Sequence, residues 1–156
     1  MKLETIELSA VIPGSPADVF KAWMTSKGHA AFTGAPATVE RRAGTRHTAW
    51  DGYIHGWVLA VGAGRNARFA WRTTDFAASD RDSVVDLAMG RAKGGTRVTI
   101  THSEIPEGQG ARYAKGWEEF YFEPLTKHFE ERAAKKTVAA KKTVAAKKKP
   151  AAKRTR

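Results

Sequence analysis

YAKGWEEFYFEPLTKHFE, residues 113–130, is the segment that decides the fold. Its large apolar residues recur at steps of three or four, the spacing that places side chains on one face of a helix. Gly108-Gln109-Gly110 marks the start of this helix, and Pro124 predicts a kink or a join within it. A helix with this stripe has to bury it against the rest of the chain. The stripe consists of Tyr113, Trp117, Phe120, Tyr121, Leu125 and Phe129.

Short antiparallel strands are predicted in the region before this helix, because turn residues interrupt it at short intervals. Asp51-Gly52 indicates a hairpin, and glycine-containing turns occur at 43–44, 62–64 and 91–95. Apolar residues also alternate with polar ones over 3–12, with a slip near Thr5, which predicts a first strand. The other predicted strands are 38–41, 45–50, 53–61, 66–72, 83–89 and 96–102.

Two short helices are predicted between the first strand and the others. Ser15 is a suitable N-cap for the first, which has Pro16 at its first position and runs to about Met24. The second covers roughly 26–32 and ends at Gly34. The order strand, two short helices, antiparallel strands and long helix predicts an α+β helix-grip fold. A curved antiparallel sheet then wraps around the C-terminal helix, and the two enclose a cavity.

The charge of the chain is concentrated at its C-terminal end. Ten of the 27 Lys and Arg lie in 133–156, which leaves 17 basic against 16 acidic residues in 1–132, a net charge of +1. We therefore predict a domain at 1–132 and a disordered basic tail at 133–156. There is no cysteine, no apolar stretch long enough to span a membrane and no apolar leader at the N-terminus. We expect a cytoplasmic protein, with association with the nucleoid through the tail.

Four further segments carry a resemblance to a known family. They read PADVFKAWMTSKGHAAFTGAPA (16–37), WDGYIHGWVL (50–59), FAWRTTDF (69–76) and GTRVTITHSEIP (95–106). Together with 113–130 they resemble the family named for the activator of the Hsp90 ATPase, in the START-like (SRPBCC) superfamily. The resemblance covers nearly all of 1–132 and implies a helix-grip fold with a hydrophobic ligand cavity, in a bacterial protein. For members near the eukaryotic co-chaperone, it also implies an Hsp90-type chaperone as partner.

An aromatic set is the best candidate for a ligand site, and we expect a small hydrophobic molecule as its occupant. An accessible pocket and a solid core are both compatible with these residues, because a stripe of aromatic residues on a helix is usually plain core. His102, at a strand end, is added as a candidate proton carrier at the mouth, against the alternative of a structural role. The predicted cavity residues are Trp23, Phe32, Trp50, Tyr53, Trp57, Trp71, His102, Tyr113, Trp117 and Phe120.

Catalytic and metal-binding patterns are weak in this chain. Its five histidines have no metal-ligand spacing, and without cysteine we predict neither a metal site nor a cofactor. Gly62-Ala63-Gly64 lacks the Gly-Lys-Ser/Thr ending of a phosphate-binding loop, and no serine has a nucleophile motif around it. A cyclase- or hydrolase-type enzyme remains the alternative, with Asp51 and His55 or Glu104 and His102 as an acid–base pair.

The tail reads AAKKTV-AAKKTV-AAKKKP-AAKRTR, four copies of a six-residue repeat. Alone it should be disordered or form a fraying Ala/Lys helix. A step of six residues turns a helix by about 240° net, so the lysine pairs would surround the helix instead of forming the single basic face of a membrane-surface helix. It resembles the tails of linker histones and bacterial histone-like proteins, and we predict sequence-independent binding of nucleic acid. The predicted contact residues are Lys135, Lys136, Lys141, Lys142, Lys147, Lys148, Lys149, Lys153, Arg154 and Arg156.

Overall fold

A computed structural model describes the backbone of residues 2–154 and the side chains of residues 2–138. It contains six strands, four α-helices and one π-helical turn. In chain order they are β1 (Glu4–Ile12), α1 (Pro16–Trp23), α2 (Ser26–Thr33), β2 (Arg46–Ala49), β3 (Ile54–Gly62), β4 (Asn66–Thr73), β5 (Ser83–Ala92), β6 (Gly95–Ile105), α3 (Gly110–Trp117), the π-turn (Glu118–Phe122) and α4 (Glu123–Arg154).

The six strands form one antiparallel sheet in the order β1-β6-β5-β4-β3-β2. Residues alternate between buried and more exposed along the strands, because successive side chains point to opposite faces and one face is covered by the helices. The core between sheet and helices includes Ile12, Val58, Leu87, Ile100 and Leu125, each at 0–1% exposure. The predicted α+β helix-grip fold is confirmed.

The predicted strand at 38–41 is wrong. Thr38 forms a single bridge with Thr48, and no strand follows it before β2. The Ser26 hydroxyl explains this, because it accepts a hydrogen bond from the amide of Val39 at 3.0 Å and donates one to the carbonyl of Val39 at 3.2 Å. The slip predicted near Thr5 is confirmed as a register shift between Glu4 and Ile6, where β1 pairs with β6.

Local capping explains the two short helices. The Ser15 hydroxyl accepts a hydrogen bond from the amide of Asp18 at 3.1 Å and caps α1. Thr25 does the same for α2 through the amide of Gly28, and Gly34 ends α2 in the left-handed conformation. Helix α1 contacts β5 and β6 of the sheet, and α2 contacts α1 and α4.

The C-terminal helix contains the π-turn directly before Pro124. The amide of Glu123 bonds to the carbonyl of Glu118, five residues back. Pro124 has no N–H to return to Phe120, and a wider turn at this point accommodates the missing bond. The kink or join predicted at Pro124 therefore takes the form of a π-turn followed by α4.

Helix α4 continues through the repeat to Arg154. Its backbone is thus helical, one of the two alternatives left open by the sequence, since alanine and lysine both favour helix. The division into a domain (1–132) and a tail (133–156) stays a prediction, because α4 crosses that boundary without a break. Lys135 and Lys136 are exposed; the other predicted tail contacts have side chains outside the described residues. None of the helices described within 2–154 has the length and apolarity to cross a bilayer.

Candidate ligand-binding site

A cavity of about 480 Å³ lies between the sheet and the C-terminal helix. This volume is within the range of about 300–1,000 Å³ found for ligand pockets. The β2–β3 connection, β3 and β4 form one wall, and α3 with the π-turn forms the other. Its lining is aromatic except for three residues, and consists of Trp50, Tyr53, Ile54, Trp71, Arg112, Tyr113, Gly116, Trp117, Phe120 and Tyr121.

Two rows of residues from the C-terminal helix line this cavity, each with a step of four. Tyr113, Trp117 and Tyr121 form the inner row and are 3–6% exposed. The outer row is Arg112, Gly116 and Phe120, in which Phe120 is 52% exposed. Gly116 keeps the middle of the outer row open. A Cβ atom there would have only the Phe120 ring as a neighbour, at 3.9 Å.

Trp50 closes one side of the cavity from an unusual backbone conformation. It has φ = 53° and is followed by Asp51 at 55° and Gly52 at 87°, so three successive residues are in the left-handed region. This is strained for a bulky side chain. The Trp50 ring meets the Phe120 ring edge to face, with centroids 5.5 Å apart. Its indole Nε1 is buried and has no hydrogen-bond partner among the described residues.

A polar edge borders the cavity beside Tyr53. The hydroxyl of Tyr53 donates to Asp75 at 2.6 Å, and Asp75 lies 3.5 Å from the guanidinium of Arg112. The hydroxyl of Tyr113 donates to Gln109 at 2.6 Å. Burial and the hydrogen bond to Asp75 raise the pKa of Tyr53, so its phenol is protonated and acts as a donor.

His102 lies beneath the cavity and is fully buried. The indole Nε1 of Trp117 donates to its Nδ1 at 3.1 Å, which leaves the proton on Nε2. That Nε2 donates to the Ser83 hydroxyl at 2.8 Å, which in turn donates to the carbonyl of Trp71 at 2.6 Å. Burial lowers the pKa of His102 to about 3. With His102 neutral, each of its ring nitrogens and the Ser83 hydroxyl has a hydrogen-bond partner, which favours the structural role over that of a proton carrier.

The α2 side of the same core is nearly filled, with a void of only about 20 Å³. We call this region, around Trp23, His29, His47 and Tyr121, the filled end. Trp23 stacks there on Tyr121 with centroids 4.9 Å apart. Between them, His29 bonds to the carbonyl of Trp23 at 2.9 Å and to the Tyr121 hydroxyl at 3.1 Å. His47 donates to the carbonyl of Ala70 at 2.9 Å. Burial lowers the pKa of both histidines to about 4.

Comparison with known proteins agrees with this fold. The family model described as Activator of Hsp90 ATPase homolog 1-like protein matches residues 13–130. The chain belongs to this family. It is 25% identical over 124 residues to human Activator of 90 kDa heat shock protein ATPase homolog 1, and the match covers 80% of the chain but only 36% of that relative.

Solved structures of the Hsp90 ATPase activator homolog 1-like fold superpose on most of the chain. An HSP90 activator from Plasmodium falciparum has a TM-score of 0.70 and 20% identity, covering 78% of this chain and 92% of its own. The solution structure of an AHSA1-like protein from Aeromonas hydrophila has a TM-score of 0.62 and 21% identity, with 84% and 94% covered. At this identity, these matches show the fold.

Six of the ten predicted cavity residues line the cavity of this family member: Trp50, Tyr53, Trp71, Tyr113, Trp117 and Phe120. Trp23 and Phe32 belong to the filled end, and His102 lies beneath the cavity. Trp57 is on the opposite face of the sheet, 44% exposed, with the Arg46 guanidinium 5.3 Å from its ring.

Four lining residues were not predicted: Ile54, Arg112, Gly116 and Tyr121. Tyr121 belongs to the predicted stripe, and Arg112 and Gly116 precede Phe120 at steps of four. Helical spacing could thus have found them, since these steps share a face.

The suggested acid–base pairs do not meet at the cavity. Asp51 is exposed in the β2–β3 connection, and His55 lies on the outer face of β3, beside Trp57. Glu104 is paired with Arg81 at 3.4 Å on the surface. Among the described residues, no three His, Asp or Glu side chains converge as a metal site would require.

Proposed function

We propose that this chain is a START-like binding protein that takes up a small hydrophobic molecule between its sheet and its C-terminal helix. The observation that supports this best is the aromatic cavity of about 480 Å³, beside a filled end whose void is only about 20 Å³. Apolar walls that face water are unfavourable, at about 25 cal/mol per Å². An apolar ligand that covers these walls gains this free energy.

Substitution of Gly116 tests the cavity. Gly116→Leu adds a side chain to the open middle of the outer row, and we expect it to weaken binding of the neutral fluorescent probe N-phenyl-1-naphthylamine by on the order of tenfold or more. Gly116→Ala is the matched control, because a single methyl group leaves most of the volume open. Both should keep or slightly raise the melting temperature, because each replaces a helical glycine.

If Gly116→Leu and the unsubstituted protein bound the probe with equal affinity, the probe would have to bind outside this cavity. No binding by the unsubstituted protein would remove the support for a ligand cavity of this kind.

We also propose that the chain is tethered to nucleic acid without sequence preference, and the basic repeat supports this. Ten cations and no acids lie in 133–156, whereas 1–132 has a net charge of +1. Cations on a flexible or helical segment contact phosphates and release counterions without reading bases. We expect a variant ending at residue 132 to keep its melting temperature and lose DNA binding at about 50 mM salt. DNA binding that survives this truncation would refute the tail assignment.

Association with an Hsp90-type chaperone is a second candidate function. It is favoured by the match to the human activator and by the fold shared with an HSP90 activator from Plasmodium falciparum. The chain spans 36% of the length of the human relative, so that protein's activity does not pass to it as a whole. The test is the ATPase rate of the Hsp90 from the same organism with and without the full chain. An unchanged rate at saturating concentration would argue against this candidate.

A further inference from the structure

Arg112 is the only charged residue among the described residues that line the cavity. It lies at the α3 end of the outer row, one turn before Gly116 and two turns before Phe120. Its side chain is 54% exposed, so its guanidinium is in reach of both the solvent and the cavity. A ligand that enters over Gly116 therefore has one cationic group at one end of its path and aromatic rings elsewhere.

The guanidinium of Arg112 has weak partners in this structure. Its polar contacts within residues 2–138 are 3.4 Å to the Tyr113 hydroxyl and 3.5 Å each to Gln109 and Asp75, all from one nitrogen, Nη2. Its Cζ atom also lies 5.2 Å from the centroid of the Tyr113 ring, a cation–π contact that leaves the edge of the guanidinium open. Charge-assisted hydrogen bonds are normally about 2.7–2.9 Å long, and an arginine fork can form two in parallel. Nη1 and Nε make no hydrogen bond to the described residues, so two nitrogens with three N–H groups remain for an acceptor.

We infer that the cavity is selective for an amphiphile with an apolar chain and a carboxylate head group, whose head group pairs with Arg112 while the chain lies against the aromatic rings. This rests on the proposed ligand-binding function and adds the chemical class of the ligand. A carboxylate fits the planar fork of an arginine bidentately, and the chain covers the apolar walls. Gly116 has no side chain, so the path from Arg112 to the aromatic rings is open.

Asp75 opposes this binding and thereby offers a test. It lies 3.5 Å from Arg112 and accepts the hydrogen bond of Tyr53, so an incoming carboxylate meets a like charge nearby. Removal of that charge in Asp75→Asn should therefore strengthen carboxylate binding, and an amide oxygen still accepts from Tyr53. A site selective for cations would respond in the opposite direction.

Three probes with the same ten-carbon chain separate the contributions of charge and chain: decanoate, decan-1-ol and decyltrimethylammonium. Their affinities for the full chain are measured by tryptophan fluorescence at about 150 mM salt, where exposed charges more than about 8 Å apart are largely screened and direct ion pairs persist. All five tryptophans lie in 1–132, so binding to the tail contributes little to this signal. We expect decanoate to bind more tightly than decan-1-ol by on the order of tenfold.

Arg112→Gln should abolish this preference, because it removes the cationic partner of the carboxylate and lowers the affinity for decanoate towards that for decan-1-ol. Arg97→Gln is the matched control with the same net charge, because Arg97 is exposed on β6 and its contact is with Ser9 on β1. Asp75→Asn should raise the affinity for decanoate severalfold.

Equal affinities for decanoate and decan-1-ol would overturn the inference and leave the cavity proposal standing. Tighter binding of decyltrimethylammonium would overturn it in favour of recognition by the aromatic faces. If none of the three probes bound, the proposed ligand-binding function would fail for such chains, and the inference with it.

Discussion

The cavity and the filled end lie side by side between the same sheet and the same helix, yet one is open and the other is closed. Both are lined by aromatic residues, and Trp71, Trp117 and Tyr121 contribute to both. The filled end is closed by side chains from α1 and α2, whereas the cavity has Gly116 where a side chain would reach inward. Whether the space is open therefore depends on the residues that differ between the two regions, because these three rings are common to both.

The two regions differ in their hydrogen bonds as well. Both ring nitrogens of His29 are paired at the filled end, while the Nε1 of Trp50 has no partner among the described residues at the cavity. An unpaired buried donor costs about 1–3 kcal/mol. Trp50 is thus a position at which the cavity end lacks a hydrogen bond of the kind that His29 makes at the filled end.

Acidification should have the largest effect, through His29 and His47 at the filled end and through His102 beneath the cavity. The pKa values of His29 and His47 are lowered to about 4 and that of His102 to about 3, all below the unfolded value of about 6.5. The unfolded state therefore binds more protons between these values. Stability is fully present above pH 6.5 and falls below it, by up to about 1.4 kcal/mol per pH unit for each histidine.

Unfolding by urea at a series of pH values measures this slope, and histidine NMR signals identify the groups. The signals of the three buried histidines should not titrate in the folded protein above a pH of about 4. A midpoint near 6.5 for any of them would contradict its burial as a neutral group.

Truncation of one ring in each region should have unequal effects. Trp23 is 3% exposed and stacked on Tyr121, so Trp23→Ala should lower the free energy of unfolding by about 3–5 kcal/mol. Phe120 is 52% exposed, and Phe120→Ala should cost less than about 1 kcal/mol. Urea unfolding of both variants gives the comparison directly, and similar losses would show that the cavity end bears as much stability as the filled end.

Addition of one methyl group at Gly56, next to His47 of the filled end, should lower the free energy of unfolding by a smaller amount. His47 reaches across Gly56 to the carbonyl of Ala70, and a Cβ at Gly56 would overlap that carbonyl oxygen. Gly56→Ala should therefore destabilise by about 1–3 kcal/mol. Gly90→Ala, in β5 with no heavy atom within 4 Å, is the matched control and should be nearly neutral by thermal unfolding. Equal melting temperatures would show that β3 and β4 can separate without cost.

The fold could be predicted from the sequence because its repeating patterns are long. Apolar alternation in the strands and the spaced stripe in 113–130 each recur over enough residues to identify an element. The strand prediction for 38–41 is wrong because four residues carry little periodicity, and tertiary hydrogen bonds between Ser26 and Val39 determine the conformation of this segment.

The candidate site was only partly predictable, since composition does not show where a ring points. Alternation from Ile54 places Trp57 on the opposite face, and the strand pattern contained that information. The role of His102 was not readable, because it depends on Ser83 and Trp117 at distant positions. The place of Arg112 in the cavity lining could not be predicted, because a charged residue near the start of a helix is ordinarily solvated.

The π-turn behaves as one extra residue inserted into the C-terminal helix, so the helix could lose a residue at this point. Tyr113, Trp117, Tyr121, Leu125 and Phe129 are all buried at a constant step of four, although an α-helix advances about 40° too far at each such step. The wider turn at Glu118–Phe122 takes up part of that excess, as one inserted residue would. Deletion of Glu119 should therefore convert the π-turn into regular α-helix. The buried residues after it, Leu125 and Phe129, should keep their positions in the core. The core of this chain would then keep its packing with one residue fewer, and Phe120 would lose its place opposite Trp50.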